Sequence, residues 1–156
     1  MSVPIYDTGV GSNDTDTNFI LVARYLEGTP VPVLAERKAA YSGFNLLAGD
    51  GDELWWLSNR DGASRRLGPG WYGLGNLLLD TPEVEPHKAR FRDCPPSVEP
   101  LFRVLDEARI VDARYGTRCS TVLLAGEDVH FAERGFGSDG TEQETLHYAF
   151  RTRRIS

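Results

Sequence analysis

The chain has almost no lysine. Of its 17 basic residues only Lys38 and Lys88 are lysines, and the rest are arginines. GC-rich coding is the plainer reading of that bias and a salt-adapted source the other, and its chemical consequence is a supply of planar forks suited to carboxylates and phosphates. Positive charge is also short overall: 23 acidic residues leave a net charge of -6, which argues against a general nucleic-acid surface. Cysteine is scarce. Cys94 and Cys119 form no CxxC pair, so neither a disulfide scaffold nor a zinc ribbon is encoded. His87, His130 and His147 are too widely spaced for an HxxxH-type ligand set, so no metal and no cofactor is expected. No apolar run reaches the roughly 18 residues that a membrane-spanning helix needs. The N-terminus lacks a basic segment followed by an apolar core, so the default expectation is the cytoplasm.

What is present suits one globular domain. Its 156 residues are 40% hydrophobic and 10% aromatic, enough for a real core. Residues 1–17 are polar and glycine-rich and read as a flexible tail, 18–151 as the domain, and 152–156 as a basic tail. Helical spacing over 19–27 stops at Gly28, and Pro30 and Pro32 open a second helix over 33–40. Residues 44–48 and 53–58 read as a hairpin around Asp50-Gly51-Asp52, with further strands over 65–67 and 71–76. Pro82 and Pro86 bracket a helix start, and Ser97 is a candidate N-cap for a helix carrying Val98, Leu101, Phe102 and Leu105. Residues 119–125 and 129–134 form a second hairpin, and Gly135 to Gly140 a glycine-rich loop. Leu146, Tyr148 and Phe150 alternate along a last strand. The fold class expected is α+β, an antiparallel sheet covered by helices.

Residues 70–82, GWYGLGNLLLDTP, concentrate aromatic, glycine and amide chemistry. Glycines around Trp71 and Tyr72 predict a backbone that something approaches closely, and Asn76 supplies an uncharged donor and acceptor suited to a pocket wall or an oxyanion. Thr117 and Arg118, in YGTRCST, crowd hydroxyls and a guanidinium at a strand entrance, where an anion could be held; a salt-bridged arginine beside a turn is the plainer alternative. Asn45 sits inside an apolar run and needs a partner, either in a pocket or on the backbone. Asn59-Arg60-Asp61-Gly62 reads as a hairpin loop. Cys119 has no histidine near it in sequence, and no residue stands out as catalytic. Ser2 would become an N-terminal nucleophile beside its own amine if Met1 were removed; an ordinary second residue is the plainer reading.

Three segments, YSGFNLLAGD (41–50), WYGLGNLLLDTP (71–82) and YGTRCSTVLL (115–124), together resemble the NRDE family, also called the transport and Golgi organisation 2 family. Asn59-Arg60, Phe131-Ala132-Glu133-Arg134 and Tyr148-Ala149-Phe150 fit the same pattern, and the resemblance runs over roughly 19–150. It implies an αββα sandwich of the N-terminal nucleophile hydrolase kind. Family members begin Met-Cys and soon reach the NRDE tetrapeptide. This chain begins Met1-Ser2-Val3-Pro4, and Asn59-Arg60-Asp61 is followed by Gly62. The resemblance therefore implies the C-terminal portion of the fold, a partial sandwich after a short tail. Asn45, Asn76 and Arg118 match family positions and are expected, with Trp71, Tyr72 and Thr117, to line a pocket for an unidentified small molecule.

Three functions follow as expectations. The first is an incomplete, non-catalytic domain that keeps part of a small-molecule pocket. The second is an active amide hydrolase using Ser2 or a nucleophile from a partner chain. The third is an interaction protein whose exposed sheet edges pair with a second chain or another copy of itself.

Overall fold

The computed structural model describes residues 5–6, 15–49, 52–61, 64–112 and 114–151. The chain divides into two compact units, 1–85 and 86–156. Both units contain helices and an antiparallel sheet, an α+β architecture.

The first unit carries helices α1 (Thr15–Leu26) and α2 (Val31–Glu36) and a sheet of order β1-β2-β3-β4. Its strands are β1 (Ile5–Tyr6), β2 (Asn45–Gly49), β3 (Leu54–Ser58) and β4 (Ser64–Leu67). The stretch read as a tail therefore includes a two-residue strand, paired with Leu46 and Leu47, and the first residues of α1. Helix α1 ends where the sequence places its stop. Gly28 has φ +97, its N–H bonds Tyr25 O and that of Thr29 bonds Arg24 O, both at 2.9 Å. That pair of bonds closes the helix with a left-handed glycine. The helix expected over 33–40 is shorter: α2 ends at Glu36, and a 3-10 turn covers Lys38–Ala40.

The β2–β3 hairpin forms with Gly49 opposite Leu54. Its turn residues Asp50 and Gly51 lie outside the described residues. Strand alternation puts Leu46, Ala48 and Leu57 in a core with Leu21, Val31, Leu34 and Phe44. The opposite face carries Asn45 and Trp56, the latter fully buried.

The second unit holds α3 (Glu85–Asp93, whose first residue closes the first unit), α4 (Val98–Glu107) and the sheet β5-β6-β7. Its strands are β5 (Cys119–Ala125), β6 (Asp128–Phe136) and β7 (Glu142–Arg151). Strand β6 runs through Gly135 and Phe136, so the glycine-rich loop is shorter than expected. Helix α4 packs Leu101 and Phe102 against Val122 of β5 and Ala132 of β6, with Val98, Leu105 and Leu124 around them. Its cap differs from the expectation. Ser97 occupies the N-cap position, but its side chain bonds no helix N–H. Glu99 in that first turn instead faces Arg134 of β6.

Arg134 is 9% exposed and pins this unit together. Its Nη2 donates to both oxygens of Glu99 at 3.0 Å, and its Nε to Thr145 Oγ1 at 3.4 Å. Asp106 and Glu142 stand 3.6 and 3.8 Å from Nη1. The guanidinium lies 4.2 Å from the ring centre of Phe102. A buried guanidinium is tolerable because every side of it meets an acceptor or a π face.

Candidate functional site

Residues 70–82 are not a strand, contrary to the expectation over 71–76. They fold back on themselves. Leu74 and Leu79 form an isolated antiparallel bridge. Asp80 N donates to Gly73 O at 2.7 Å, and Gly73 N donates to the Asp80 carboxylate at 2.9 Å. Asp80 sits at φ 57, a left-handed conformation that a short polar residue tolerates. The Tyr72 hydroxyl donates to Gly68 O at 2.9 Å. The loop's own bonds thus take up much of its backbone, and Leu79 is buried. Trp71 is half exposed, and Asn76 is exposed at the turn.

Asn45 fastens that loop to the sheet. Its Nδ2 donates to Leu77 O at 3.1 Å, and its Oδ1 accepts from the buried Trp56 Nε1 at 3.2 Å. Both ends of the amide are engaged, one with backbone and one with a side chain. Asn45, Trp71, Tyr72 and Asn76 therefore share the first unit, where Asn45 is buried under the loop that carries the other three.

Asn59 opens the connection between the paired strands β3 and β4, as the hairpin-loop expectation has it. The turn assignment at 59–62 hides what its side chain does. Its Oδ1 accepts from Phe44 N at 2.9 Å, and its Nδ2 faces Tyr41 O at 2.8 Å, Ser42 O at 2.9 Å and Lys38 O at 3.3 Å. Ser58, fully buried beside it, donates to Phe44 O at 2.9 Å and accepts from Arg60 N at 3.1 Å. Together they fix the chain's approach to β2. Only residue type hinted at this, because the partners lie 15 to 21 positions away.

Thr117 and Arg118 lie in the second unit and line a cavity of about 110 Å³. One wall is formed by residues 110–112 and 114–118. Val111 bridges Gly116, Thr117 N donates to Ile110 O at 2.9 Å, and Ile110 N donates to Thr117 Oγ1 at 3.0 Å. The Thr117 hydroxyl thus accepts from its own loop. Arg118 O accepts from Phe136 N at 2.9 Å, which continues the β5–β6 ladder and fixes where the side chain leaves the sheet. The facing wall is the loop Gly137, Ser138 and Gly140. Gly140 has φ +80, and a Cβ there would stand 2.9 Å from Val111 Cγ1, so only glycine lets the two walls meet.

Charge in the lining is unbalanced: Arg114 and Arg118 against Asp112. The Asp112 carboxylate already accepts from Arg114 N at 2.9 Å. Ile110, Val111 and Tyr115 add half-exposed apolar surface. Asp139, inside the facing loop, accepts from the Thr141 hydroxyl at 2.7 Å and its N–H at 3.0 Å, and those bonds hold its carboxyl below the usual carboxylate range. The neighbouring Cys119 is exposed, and partial desolvation and then the Glu133 carboxylate push its thiol up. Among the described residues, no group of three or more His, Cys, Asp or Glu is placed to hold a metal. No helix among them is long and apolar enough to cross a membrane.

An α+β chain with two antiparallel sheets and a self-closed glycine loop narrows the class, and comparison with known proteins supplies the family. Residues 13–101 match the family described as Transport and Golgi organisation 2. The chain belongs to that family, the NRDE family. It is also 34% identical, over 160 aligned positions, to the Transport and Golgi organization protein 2 homolog of Bos taurus. That alignment covers 71% of this chain and 57% of the relative, so the chain spans little more than half of the relative's length. No solved structure matches the chain. The family match contains YSGFNLLAGD and WYGLGNLLLDTP and stops short of Thr117, Arg118 and the cavity.

Proposed function

We propose that this chain is a ligand-binding, non-catalytic part of the family's fold, whose complete form is an αββα sandwich of the N-terminal nucleophile hydrolase kind, and that it acts in the cytoplasm. The cavity lined by Thr117 and Arg118 carries this reading. It joins charged, hydroxyl and apolar groups in a concave site, which supports the holding of a small molecule's polar group. The upward push on the neighbouring Cys119 thiol favours a binding role over a nucleophilic one. The hydrolase reading would rest on Ser2, which lies outside the described residues, or on a nucleophile from a partner chain.

A fragment titration of the full chain, followed by amide NMR, tests this. Neutral and charged fragments together are expected to shift Gly116, Thr117, Arg118 and Ser138. In parallel, a β-lactone probe is expected to leave no adduct by intact mass. An adduct mapped to Ser2 and lost in Ser2→Ala would replace this reading with the hydrolase.

A second reading, a protein completed by another chain, is favoured by β7. Leu146, Tyr148 and Phe150 share one face of it and are 40%, 57% and 38% exposed. A monomer at micromolar concentration by light scattering counts against this reading.

A further inference from the structure

We propose that the cavity between residues 110–112 and 114–118 and the loop 137–140 takes the oxyanion end of a small amphipathic molecule. The group held is a carboxylate or a phosphate monoester, and its apolar body lies on Ile110, Val111 and Tyr115. This deepens the small-molecule reading above and rests on it.

Four observations converge. First, the lining holds two guanidiniums against one carboxylate, in a chain whose net charge is -6. A local excess of positive charge on an acidic protein is where an anion collects. Second, neither Arg114 nor Arg118 forms a side-chain ion pair or hydrogen bond among the described residues. Arg134 of the same unit, by contrast, is occupied by Glu99 and Thr145 and flanked by Asp106 and Glu142. The forks at the cavity keep their donors for a ligand, and forks match the geometry of carboxylate and phosphate.

Third, the carboxylates near the site engage other donors. Asp112 accepts a backbone N–H from within the cavity wall, and Asp139, outside the lining, is held by Thr141. Both keep their charge, but among the described residues neither forms an ion pair with Arg114 or Arg118. Fourth, the rim is apolar where the lining is charged. Ile110, Val111 and Tyr115 are 49%, 57% and 56% exposed. A volume of about 110 Å³ accommodates a headgroup and no more, so the body of the ligand must lie along that rim.

The test titrates three probes of equal chain length into the full protein: octanoate, octyl phosphate and the uncharged octanamide. Each is kept below its aggregation threshold, and amide NMR follows Gly116, Thr117, Arg118, Ser138 and Gly140. At least one anion is expected to bind about tenfold or more tightly than octanamide, and to weaken as salt is raised. Octanoate alone assigns a carboxylate, octyl phosphate alone a phosphate, and both together the shared oxyanion chemistry. Arg118→Gln and Arg114→Gln, exposed positions whose spectra elsewhere should superimpose on the parent, are each expected to weaken the anion by about tenfold. Octanamide binding as tightly as the anions, or anion binding indifferent to both substitutions, overturns the oxyanion assignment and leaves the pocket standing. No shift at these amides with any of the three probes overturns the assignment, and the pocket falls with it only if the wider fragment set is silent there too.

Discussion

Replacing Asn59 with alanine tests the claim that one amide side chain organises the approach to β2. The amide accepts from Phe44 N and faces three carbonyls, at 2.8, 2.9 and 3.3 Å. Its Nδ2 has only two hydrogens, so the longest contact, to Lys38 O, is shared with another. Three effective bonds remain. At about 0.5–1.5 kcal/mol each, their loss sums to roughly 3 kcal/mol if the partners stay dry. Asn59 is half-buried, so water reaches some of these groups, and the expected cost falls to about 2 kcal/mol.

Asn59→Asp separates this account from simple loss of volume. A carboxylate still accepts from Phe44 N but turns a charged oxygen on carbonyls that had a donor. It should cost more than alanine at neutral pH despite its nearly identical shape. The assay is urea unfolding followed by tryptophan fluorescence. Trp55, Trp56 and Trp71 all lie in the first unit, so the signal reports on the unit that contains Asn59. A loss under about 0.5 kcal/mol for alanine, the range of a neutral surface change, would refute the hub role. So would aspartate tolerated as well as asparagine.

Two further outcomes are expected elsewhere. Gly28 and Gly140 both have positive φ, but a Cβ at Gly28 meets nothing within 4 Å, whereas one at Gly140 stands 2.9 Å from Val111 Cγ1. Gly28→Ala should therefore cost about 1 kcal/mol of backbone strain alone, and Gly140→Ala distinctly more, measured as separate losses of thermal stability. The Asp139 carboxyl is held low by its bonds to Thr141, so its contribution is present above the ordinary aspartate range and is lost as pH falls through its lowered value. The Thr141 amide resonance should report that acid transition, and Asp139→Asn should abolish it.

Local chemistry made much of the fold legible. Gly28 stops α1 because the last turn needs a left-handed residue there, and a sequence shows that directly. The apolar stripe of α4 is local too, and Leu101 and Phe102 are its buried members. The β5–β6 hairpin follows from two β-prone runs around Gly126. What stayed hidden depends on distant partners. Residues 71–76 have strand composition, but Asp80, several positions on, bends them into a closed loop. Ser97 has the right identity for a cap, yet that turn is organised by Glu99 reaching Arg134 across the unit. The phase of Leu146, Tyr148 and Phe150 is right, since they stand opposite Glu133, Phe131 and Val129. Nothing in their alternation revealed that the face would be open to solvent. At the cavity, Thr117 and Arg118 were visible as a polar strand entrance. Val111 and Gly140 were not, because the wall they share joins segments far apart in the chain.

Asn45 and Arg118 are both expected at one pocket, and a paired substitution tests whether they act together. Asn45→Leu removes the acceptor of Trp56 Nε1, inside a residue with no exposed surface. An orphaned buried donor costs about 1–3 kcal/mol, so the first unit should lose about 2 kcal/mol by tryptophan fluorescence. Arg118→Gln removes an exposed guanidinium from the cavity lining and should leave that unfolding curve in place. The dependence of binding should be the reverse: the shifts that the binding anion, octanoate or octyl phosphate, causes at Gly116 and Ser138 are weakened by Arg118→Gln and unchanged by Asn45→Leu, at a temperature where both variants are folded. If Asn45→Leu in its folded state weakens that anion as much as Arg118→Gln does, Asn45 contributes to the ligand site. Its amide would then be more than the fastening of loop 70–82 to the sheet.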